Sequence, residues 1–314
     1  MLTYTLRRIL AIIPLLFLVS ILTFGLTLLI PGDPAYAIAG EGASETQVEA
    51  VRDRLGLNDP FPVRYGRWAT DALRGDLGPS LYSSRTISAD IAERFPVTLG
   101  LALLSLLVAL LISIPAGILA AVKRGTWFDR ASTTGASLGL AIPNYWLAVM
   151  LILVFSIWRQ WLPAVGYTPF GEDAVGWLKS MTLPAIALGS SAAAQLTRQL
   201  RSALAETLQQ DYIRTARAKG LRGWKVVGKH GLKNAAVAFV TVAGLQVSLL
   251  LGGAVLVEEI FGLPGFGQLA VTAVRNQDIP MIQGVVLVGA VVVILANLAV
   301  DLTYGYFNPR LRAQ

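Results

Sequence analysis

The sequence has no cysteine and only one histidine, and charged residues make up 14% of its 314 residues. The missing cysteines exclude disulfides, thiolate metal sites and a cysteine nucleophile. The single histidine, His230, lies in a basic stretch and cannot form a metal site or a catalytic triad alone. We therefore interpret it as a structural residue, and no metal site is predicted.

The sequence also lacks a phosphate-binding loop of the form G-x-x-x-x-G-K-[ST]. Gly223 and Gly228 lie close to lysines, but the spacing is wrong and no Ser or Thr follows to hold magnesium. These glycines are better interpreted as turns in a basic loop. No enzyme activity and no cofactor are predicted for this chain, so ATP and magnesium, if they drive it, must bind to partner subunits.

Carboxylates are scarce in the apolar runs, where a proton-coupled carrier usually has them. Only Asp301, near the end of the last run, lies inside one. We interpret it as an interfacial or buried carboxylate with a hydrogen-bonded partner. Secondary proton transport is therefore poorly supported, whereas a sodium-coupled carrier can use backbone carbonyls and stays an alternative.

The sequence is rich in long apolar runs. Its residues are 54% hydrophobic, its mean hydropathy is +0.61, and a helix needs about 20 apolar residues to cross a bilayer. The chain is therefore predicted to be an all-α polytopic membrane protein with six transmembrane helices. The predicted spans are residues 9–30, 97–122, 131–158, 181 to about 205, 235–257 and 283–307.

The first span is predicted to be retained rather than cleaved as a signal peptide. Its apolar run exceeds the roughly 7–15 residues of a signal peptide. The sequence Pro31-Gly32-Asp33-Pro34 ends the run as a turn would. With six spans, both termini then lie on one side of the membrane.

The distribution of basic residues indicates on which side of the membrane the termini lie. The connecting segments on the side of the termini hold 16 Lys/Arg and three acids, whereas those on the opposite side hold 10 Lys/Arg and 15 acids. The positive-inside bias makes the basic side, with both termini, cytoplasmic. It also explains the net charge of +7 without a nucleic-acid partner, which is not predicted.

The extracytoplasmic segment 31–96 is predicted to form a small helical cap. Ser44 and Gln47 have the spacing of a capping box, and Gly56 is placed to end the helix that follows. A second helix is predicted from apolar residues that recur on one face, namely Tyr65, Trp68, Ala69, Ala72 and Leu73.

Several polar residues lie inside otherwise apolar spans, where they either hydrogen-bond between helices or line a wet path. Four of them are candidate pore-lining residues: Asn144, Gln195, Gln246 and Ser248. Asn297 is a fifth polar residue of this kind. The prolines that would kink or break spans are Pro115, Pro143 and Pro184.

The most hydrophilic stretch lies between the fourth and fifth spans, where residues 198–233 contain nine Lys/Arg and two acids. Asp211 can cap a short helix, and Gly220 can end it in a left-handed conformation. A role in topology or in contact with anionic lipid stays open. A slim helix of this kind can also enter a groove in a cytoplasmic partner. The side predicted to enter consists of Tyr212, Ile213 and Ala216.

This stretch contains Asp211-Tyr212-Ile213-Arg214-Thr215-Ala216-Arg217-Ala218-Lys219-Gly220-Leu221 and then Lys229-His230-Gly231-Leu232-Lys233-Asn234-Ala235. It resembles the coupling loop of bacterial ABC-importer permeases, and more narrowly that of the first of the two paired permeases in dipeptide, oligopeptide and glutathione importers. The general motif begins Glu-Ala-Ala and ends Ile-x-Leu-Pro. The forms found here, Arg214-Thr215-Ala216 and His230-x-Leu232-Lys233, are usual in peptide-type permeases.

Shorter matches to the same family follow in order along nearly the whole chain. They are Leu6-Arg7-Arg8, Pro31-Gly32-Asp33-Pro34, Leu55-Gly56-Leu57, Gly75-Asp76-Leu77-Gly78, Ala120-Ala121-Val122-Lys123-Arg124-Gly125, Leu183-Pro184-Ala185, Gly244-Leu245-Gln246, Glu258 to Gly267, and Asn308-Pro309-Arg310.

The resemblance implies a type I permease in the bacterial inner membrane, with residues 1–93 as the first helix and cap, 94–307 as the permease core and 308–314 as a cytoplasmic tail. It implies a second similar permease, two ATP-binding subunits, an extracytoplasmic binding protein and membrane lipid as partners. The function implied is import of dipeptides, oligopeptides or glutathione-like peptides. The alternative is a self-sufficient secondary carrier or channel for a small polar solute.

Two contact regions are predicted, the first implied by the resemblance and the second by the position of its loop between the fifth and sixth spans. The coupling loop that meets the ATPases consists of Asp211, Tyr212, Ile213, Arg214, Thr215, Ala216, Arg217, Ala218, Lys219, Gly220, Leu221 and His230. Glu258 and Glu259 are adjacent and do not face each other on a helix, so they are interpreted as a solvated or docking face rather than an acid/base pair. The predicted outer gate or binding-protein contact is Glu258, Phe261, Pro264, Gly265 and Phe266.

Overall fold

The computed structural model describes residues 2–26, 34–39, 42–54, 56–83 and 85–307, and every regular element in these ranges is a helix. The helices are α1 (Leu2–Leu26), α2 (Pro34–Ala39), α3 (Glu45–Arg54), α4 (Phe61–Leu73), α5 (Ile87–Val122), α6 (Trp127–Ala141), α7 (Asn144–Leu151), α8 (Ala174–Thr207), α9 (Asp211–Ala218), α10 (Gly223–Lys225), α11 (Lys233–Phe261), α12 (Phe266–Arg275) and α13 (Ile279–Phe307). Two π-helical segments, Ile152–Trp158 and Val226–Leu232, follow α7 and α10. The all-α prediction is confirmed.

Three helical stretches in the described part of the chain are long and apolar enough to cross a membrane: α5, the continuous stretch Gly223–Phe261 and residues Ile279–Val300 of α13. The bent pair of α6 with α7 and its π-helical extension also qualifies if counted as one span, and Leu10–Gly25 is a shorter apolar helix. The count of six spans stays a prediction. The helices overrun the predicted spans, since α5 begins at Ile87 and α8 at Ala174.

The chain divides into two compact units. Among the described residues, one unit contains residues 2–5, 97–268 and 295–307, and the other contains those between 6 and 96 together with 269–294. The predicted turn at residues 31–33, Leu55 and the match at 308–310 lie outside the described residues. The side chain of Asp301 is likewise outside them.

Helix α8 is the centre of the first unit. It packs against α6, α7 and α11, and its buried side chains include Met181, Leu188 and Leu196. Small residues let neighbouring backbones approach it, as is common between membrane helices. A Cβ on Gly189, for example, would stand 2.5 Å from the carbonyl oxygen of Ser105 on α5. Nearly half of the residues of α8 are buried among these neighbours.

Of the three prolines predicted to disturb spans, only Pro143 lies at a break. It follows Ala141 and Ile142 and precedes α7, and the two helices meet there at a bend of 99°. Helices α5 and α8 continue through Pro115 and Pro184. Proline lacks a backbone donor and disfavours a helical residue before it, so Pro143 starts a helix rather than interrupting one.

The second unit contains the predicted cap. Ser44 and Gln47 form the capping box, with the Ser44 amide donating to Gln47 Oε1 at 2.8 Å. Gly56 has a φ of 62°, which fits its role after α3. The predicted stripe on α4 is partly wrong, because Leu73 is 90% exposed. Instead, the aromatic face of α4 packs on Phe24 of α1 through Phe61, Tyr65 and Trp68.

Candidate functional site

Helix α9 carries the centre of the predicted coupling loop, and its apolar side packs inside the chain. Ile213 is fully buried and Ala216 nearly so, both in a cluster with Val226 and with Leu208 at its edge. The hypothesis that Ile213 and Ala216 enter a groove in a partner is therefore wrong, because both side chains already contact their own chain. Only Tyr212 of that predicted side is exposed.

The ends of α9 agree with the prediction in part. Gln210 occupies the N-cap position without a side-chain capping bond, and Asp211 is the first helical residue. Asp211 is thus not the cap, and its carboxylate instead accepts a hydrogen bond from Arg214 at 3.4 Å. Its charge still lies at the positive end of the helix dipole. Gly220 has the predicted left-handed conformation, with a φ of 76°, and its amide donates to the Arg217 carbonyl at 2.9 Å.

Tyr212 connects α9 to the start of α11. The side-chain amide of Asn234 donates to the Tyr212 hydroxyl at 3.0 Å and to the His230 carbonyl oxygen at 2.9 Å. His230 thus contributes its backbone to this junction. Together with the buried contact on Val226, the Tyr212 bond holds α9 at two points on the chain that leads into α11.

The outward side of this loop is polar and basic. Trp224 stands out on it, because 68% of its surface is exposed and the Lys225 ammonium lies 5.6 Å from the centre of its ring. Sequence reasoning missed Trp224, although an aromatic residue between Arg222 and Lys225 in a polar loop was a usable signal. The exposed predicted residues are Asp211, Tyr212, Arg214, Thr215, Arg217, Ala218, Lys219, Gly220 and Leu221.

Sequence reasoning also missed a bidentate ion pair between α6 and α8. Arg201 Nε lies 2.5 Å from Asp129 Oδ1, and Arg201 Nη2 lies 2.9 Å from Asp129 Oδ2. The Gly125 amide donates to the same carboxylate at 2.9 Å. The available signal was that Asp129 is the only acid in the basic segment 123–130. This pair joins the start of α6 to the end of α8 that leads into α9.

The predicted outer contact is corrected at two of its residues. Glu258 and Phe261 are almost entirely buried, so neither is a solvated or docking face. The Glu258 side chain can be buried without a large energetic cost because it accepts hydrogen bonds from Thr98 and from the backbone at the start of α12. Phe261 belongs to the main hydrophobic core. Of the other predicted residues, Gly265 is buried, while Pro264 and Phe266 are half-buried.

Three of the four candidate pore-lining residues do come together. Asn144, Gln195 and Gln246 line one pocket of about 360 Å³, together with Ser191, which sequence reasoning missed. Leu140, Leu188, Leu249 and Leu250 form the rest of its lining. Ser248 lies elsewhere, and its hydroxyl donates to Asn297 at 2.9 Å. This lining has no charged side chain, so it can hydrogen-bond a polar solute without adding a net charge.

Long apolar helices around a polar pocket, with an exposed basic helix between two of them, define a membrane protein of the transport class. The chain belongs to the family of inner-membrane components of binding-protein-dependent transport systems. Residues 113–313 match the family described as binding-protein-dependent transport system inner membrane component. Residues 1–102 match the N-terminal family of such membrane components.

Similar proteins cover the whole chain. A Brucella abortus protein whose name describes it as a peptide transport system permease is 43% identical over 307 residues, covering 98% of each chain. The glutathione transport system permease protein GsiC of Escherichia coli K12 is 42% identical over 312 residues, covering 99% of each. The chain is thus an integral inner-membrane permease subunit of ABC type, a class without catalytic activity of its own.

Solved structures support the fold. A chain of the MetNI methionine ABC transporter in an inward-facing conformation aligns with a TM-score of 0.59 at 19% identity, covering 70% of this chain and 96% of that one. A chain of an amino acid ABC transporter aligns with a TM-score of 0.52 at 12% identity, covering 69% and 94%. The predicted type I importer permease fold is confirmed.

Proposed function

We propose that this chain is one membrane subunit of an ATP-driven importer of short peptides, of the dipeptide, oligopeptide or glutathione kind. The observation that carries the proposal is the exposed basic helix α9, held on the chain that leads into α11. The names of the similar permeases support a peptide substrate. If the chain were a self-sufficient carrier, the basic loop would have no role. A proton carrier also uses charged residues inside its membrane spans, and the apolar runs of this chain contain few of them.

The partners follow from this proposal. A second, similar permease completes the path through the membrane, two ATP-binding subunits contact α9, and an extracytoplasmic binding protein delivers the peptide. ATP and magnesium bind to the ATPases. Both termini and α9 are cytoplasmic, because the segments on that side carry the excess of Lys and Arg.

The contact with the ATPases uses the outward face of α9. Since Ile213 and Ala216 are committed to the chain's own core, the contacting residues are Arg214, Arg217 and Lys219 with their exposed neighbours. Movement of the ATPases displaces α9, and the junctions at Tyr212 and Val226 pass that displacement to α11. The pocket lined by Asn144, Gln195 and Gln246 then receives the peptide as the helices open outward.

ATP-driven uptake of labelled dipeptides into proteoliposomes that hold the full complex tests the proposal. We expect the charge reversal Arg217→Glu with Lys219→Glu to reduce uptake about tenfold or more, because both side chains are exposed on the outward face. Arg124→Glu is the matched control, since it reverses an exposed basic charge outside the loop. Full uptake by the double variant, or uptake by this chain without ATPases, would contradict the proposal.

A further inference from the structure

Glu258 is a fully buried carboxylate for which the transport mechanism above provides no role. Thr98 donates its hydroxyl proton to Glu258 Oε1 at 2.5 Å, and the Gln268 amide donates to Oε2 at 3.0 Å. The Gly267 amide also donates to this carboxylate. These three donors are uncharged, and they come from two other helices, α5 and α12. A buried carboxylate needs such donors, because an unpaired buried charge is strongly unfavourable.

The surroundings of Glu258 are shaped to the carboxylate. A Cβ on Gly265 would overlap the Glu258 carboxylate itself, and one on Gly267 would stand 2.6 Å from the Val255 Cα. Glycine at both positions therefore allows the loop before α12 to lie directly on the acid. The Thr98 hydroxyl also accepts a hydrogen bond from the Phe266 amide at 2.8 Å. Glu258 and Thr98 thus satisfy the first amide groups of α12, which have no partner within their own helix.

Glu258 also lies on the helix that begins at the coupling loop. Asn234, near the start of α11, bonds to Tyr212 of α9, and Glu258 lies near the end of the same helix. At 1.5 Å per residue the helix rises roughly 36 Å between these two residues, about the thickness of a bilayer. One continuous helix therefore has a polar junction at each end, one with α9 and one with α5 and the start of α12.

We propose that Glu258 and Thr98 are positioning residues that form the outer joint of this importer subunit, through which α11 moves the start of α12 and α5 when α9 is displaced. The inference rests on the proposed function, since it requires α9 to be moved by ATPases. Hydrogen bonds to a buried carboxylate suit this task because they are directional and strong, whereas an apolar contact can slide.

The experiment compares Glu258→Gln and Thr98→Val with the native chain in the assembled complex. Glu258→Gln replaces an acceptor by an amide whose N–H₂ group faces other donors, and Thr98→Val removes only the hydroxyl. Thr98→Ser, which keeps the hydroxyl, is the matched control. Glu172→Gln neutralises an exposed acid and controls for charge. Co-purification of the subunits, basal ATPase activity, binding-protein-stimulated ATPase activity and peptide uptake are measured for each.

A direct measurement of movement completes the experiment. The chain contains no cysteine, so introduced cysteines at the exposed residues Val175 and Thr272 can carry spin labels, in a complex whose partner subunits have their own cysteines replaced. The distance distribution between the labels is recorded without nucleotide and with ATP trapped in the complex. This readout reports movement at the start of α8 and on α12, and a purely structural role of Glu258 would not alter its response to ATP.

We expect both variants to assemble and to keep basal ATPase activity, while uptake and stimulated activity fall about tenfold, which matches the loss of one buried hydrogen bond. The ATP-dependent change in label distance should shrink in both variants and persist in Thr98→Ser. Native coupling and native distance changes in the variants would overturn the proposal. So would failure of both variants to assemble, because the cluster would then serve folding. If the native complex shows no ATP-driven uptake, the proposed function fails, and the label distances still test the joint.

Discussion

At the scale of single residues, the Asp129–Arg201 pair has the clearest energetic role. The Asp129 carboxylate is buried, the Arg201 guanidinium is about one-quarter exposed, and the two form two hydrogen bonds with the geometry of a fork. Removing one member leaves the other charge poorly solvated, and this costs more than the intact pair contributes. The pair therefore fixes the start of α6 on α8 mainly by making alternative arrangements unfavourable.

We expect Arg201→Met to lower the free energy of unfolding by about 2 kcal/mol, because the buried Asp129 carboxylate loses its partner while the apolar stem is kept. Thermal unfolding in detergent checks this. Arg198→Met is the matched control, since Arg198 is an exposed residue on the same helix. Adding Asp129→Asn to Arg201→Met should recover part of the loss. Equal destabilisation by the Arg198 and Arg201 variants would contradict the assigned role.

Gly189 is a residue at which the backbones of α5 and α8 lie close together. A methyl group there would stand 2.5 Å from the Ser105 carbonyl oxygen, and a backbone atom in a packed helix pair cannot move aside freely. We expect Gly189→Ala to destabilise the chain by about 2 kcal/mol. Gly252→Ala should be neutral or slightly stabilising, because no atom lies within 4 Å of its Cβ position. If the Gly189→Ala and Gly252→Ala variants have the same unfolding midpoint, the close contact at Gly189 is disproved.

At the scale of elements, α9 shows how a short helix can be both anchored and available. Eight residues are too few to be stable alone in water. The buried contact of Ile213 and Ala216 with Val226 and the Tyr212–Asn234 bond supply the stability that propensity does not. The outward face stays exposed, as the proposed contact with the ATPases requires. Trp224, just beyond this helix, adds a large apolar surface beside the basic residues.

We expect Trp224→Ala to weaken binding of the ATPase subunits by about 2 kcal/mol, or about thirtyfold in affinity, because tryptophan at a protein interface often carries much of the binding energy. Titration of purified ATPase onto nanodiscs that contain the membrane subunits measures this. Trp127→Ala is the matched control, since Trp127 is also 68% exposed but lies at the start of α6. If both variants bind ATPase with native affinity, Trp224 is not part of the interface.

At the scale of the whole molecule, apolar runs and turn residues predicted most of the fold. The capping box at Ser44 and the left-handed Gly220 were predictable because each is a local rule of backbone hydrogen bonding. The extra turns of α5 before residue 97 were not, because polar helical residues outside the bilayer carry no apolar signal. Likewise, α6 and α7 meet at a sharp bend at Pro143, whereas α8 continues through the Pro184 position without a break. The local sequence does not distinguish these two prolines, because packing decides between the outcomes.

The candidate site was predictable to a similar extent. A polar residue in an apolar span must either hydrogen-bond or face water. This rule selected Asn144, Gln195 and Gln246 as candidates, and the structure brings them to one pocket. The same rule could not separate them from Ser248, which bonds to Asn297 instead. It also could not reveal that Glu258 is buried, because its three donors come from positions far along the chain or from backbone amides. A single sequence does not show which residues far apart along the chain contact each other in the fold.

The lining of the pocket predicts how the whole importer treats peptides of different charge. Its polar lining consists of the neutral side chains of Asn144, Ser191, Gln195 and Gln246, so it can bond the main-chain groups that all peptides share without selecting side-chain charge. We expect Gln195→Leu to lower uptake of neutral, acidic and basic dipeptides in parallel, by about fivefold to tenfold, as for the loss of one hydrogen bond. Gln195→Arg should instead lower uptake of basic dipeptides most, through repulsion between like charges in a poorly solvated space.

Gln199→Leu is the matched control for this last prediction, because Gln199 lies one helical turn further along α8 and does not line the pocket. Uptake rates for the three classes of dipeptide are compared at saturating binding protein, so that delivery is the same for each. Native uptake by Gln195→Leu would remove the pocket from the transport path. A loss confined to one charge class in Gln195→Leu would mean that charged groups outside this lining select the peptide, and a second permease subunit would then be the place to seek them.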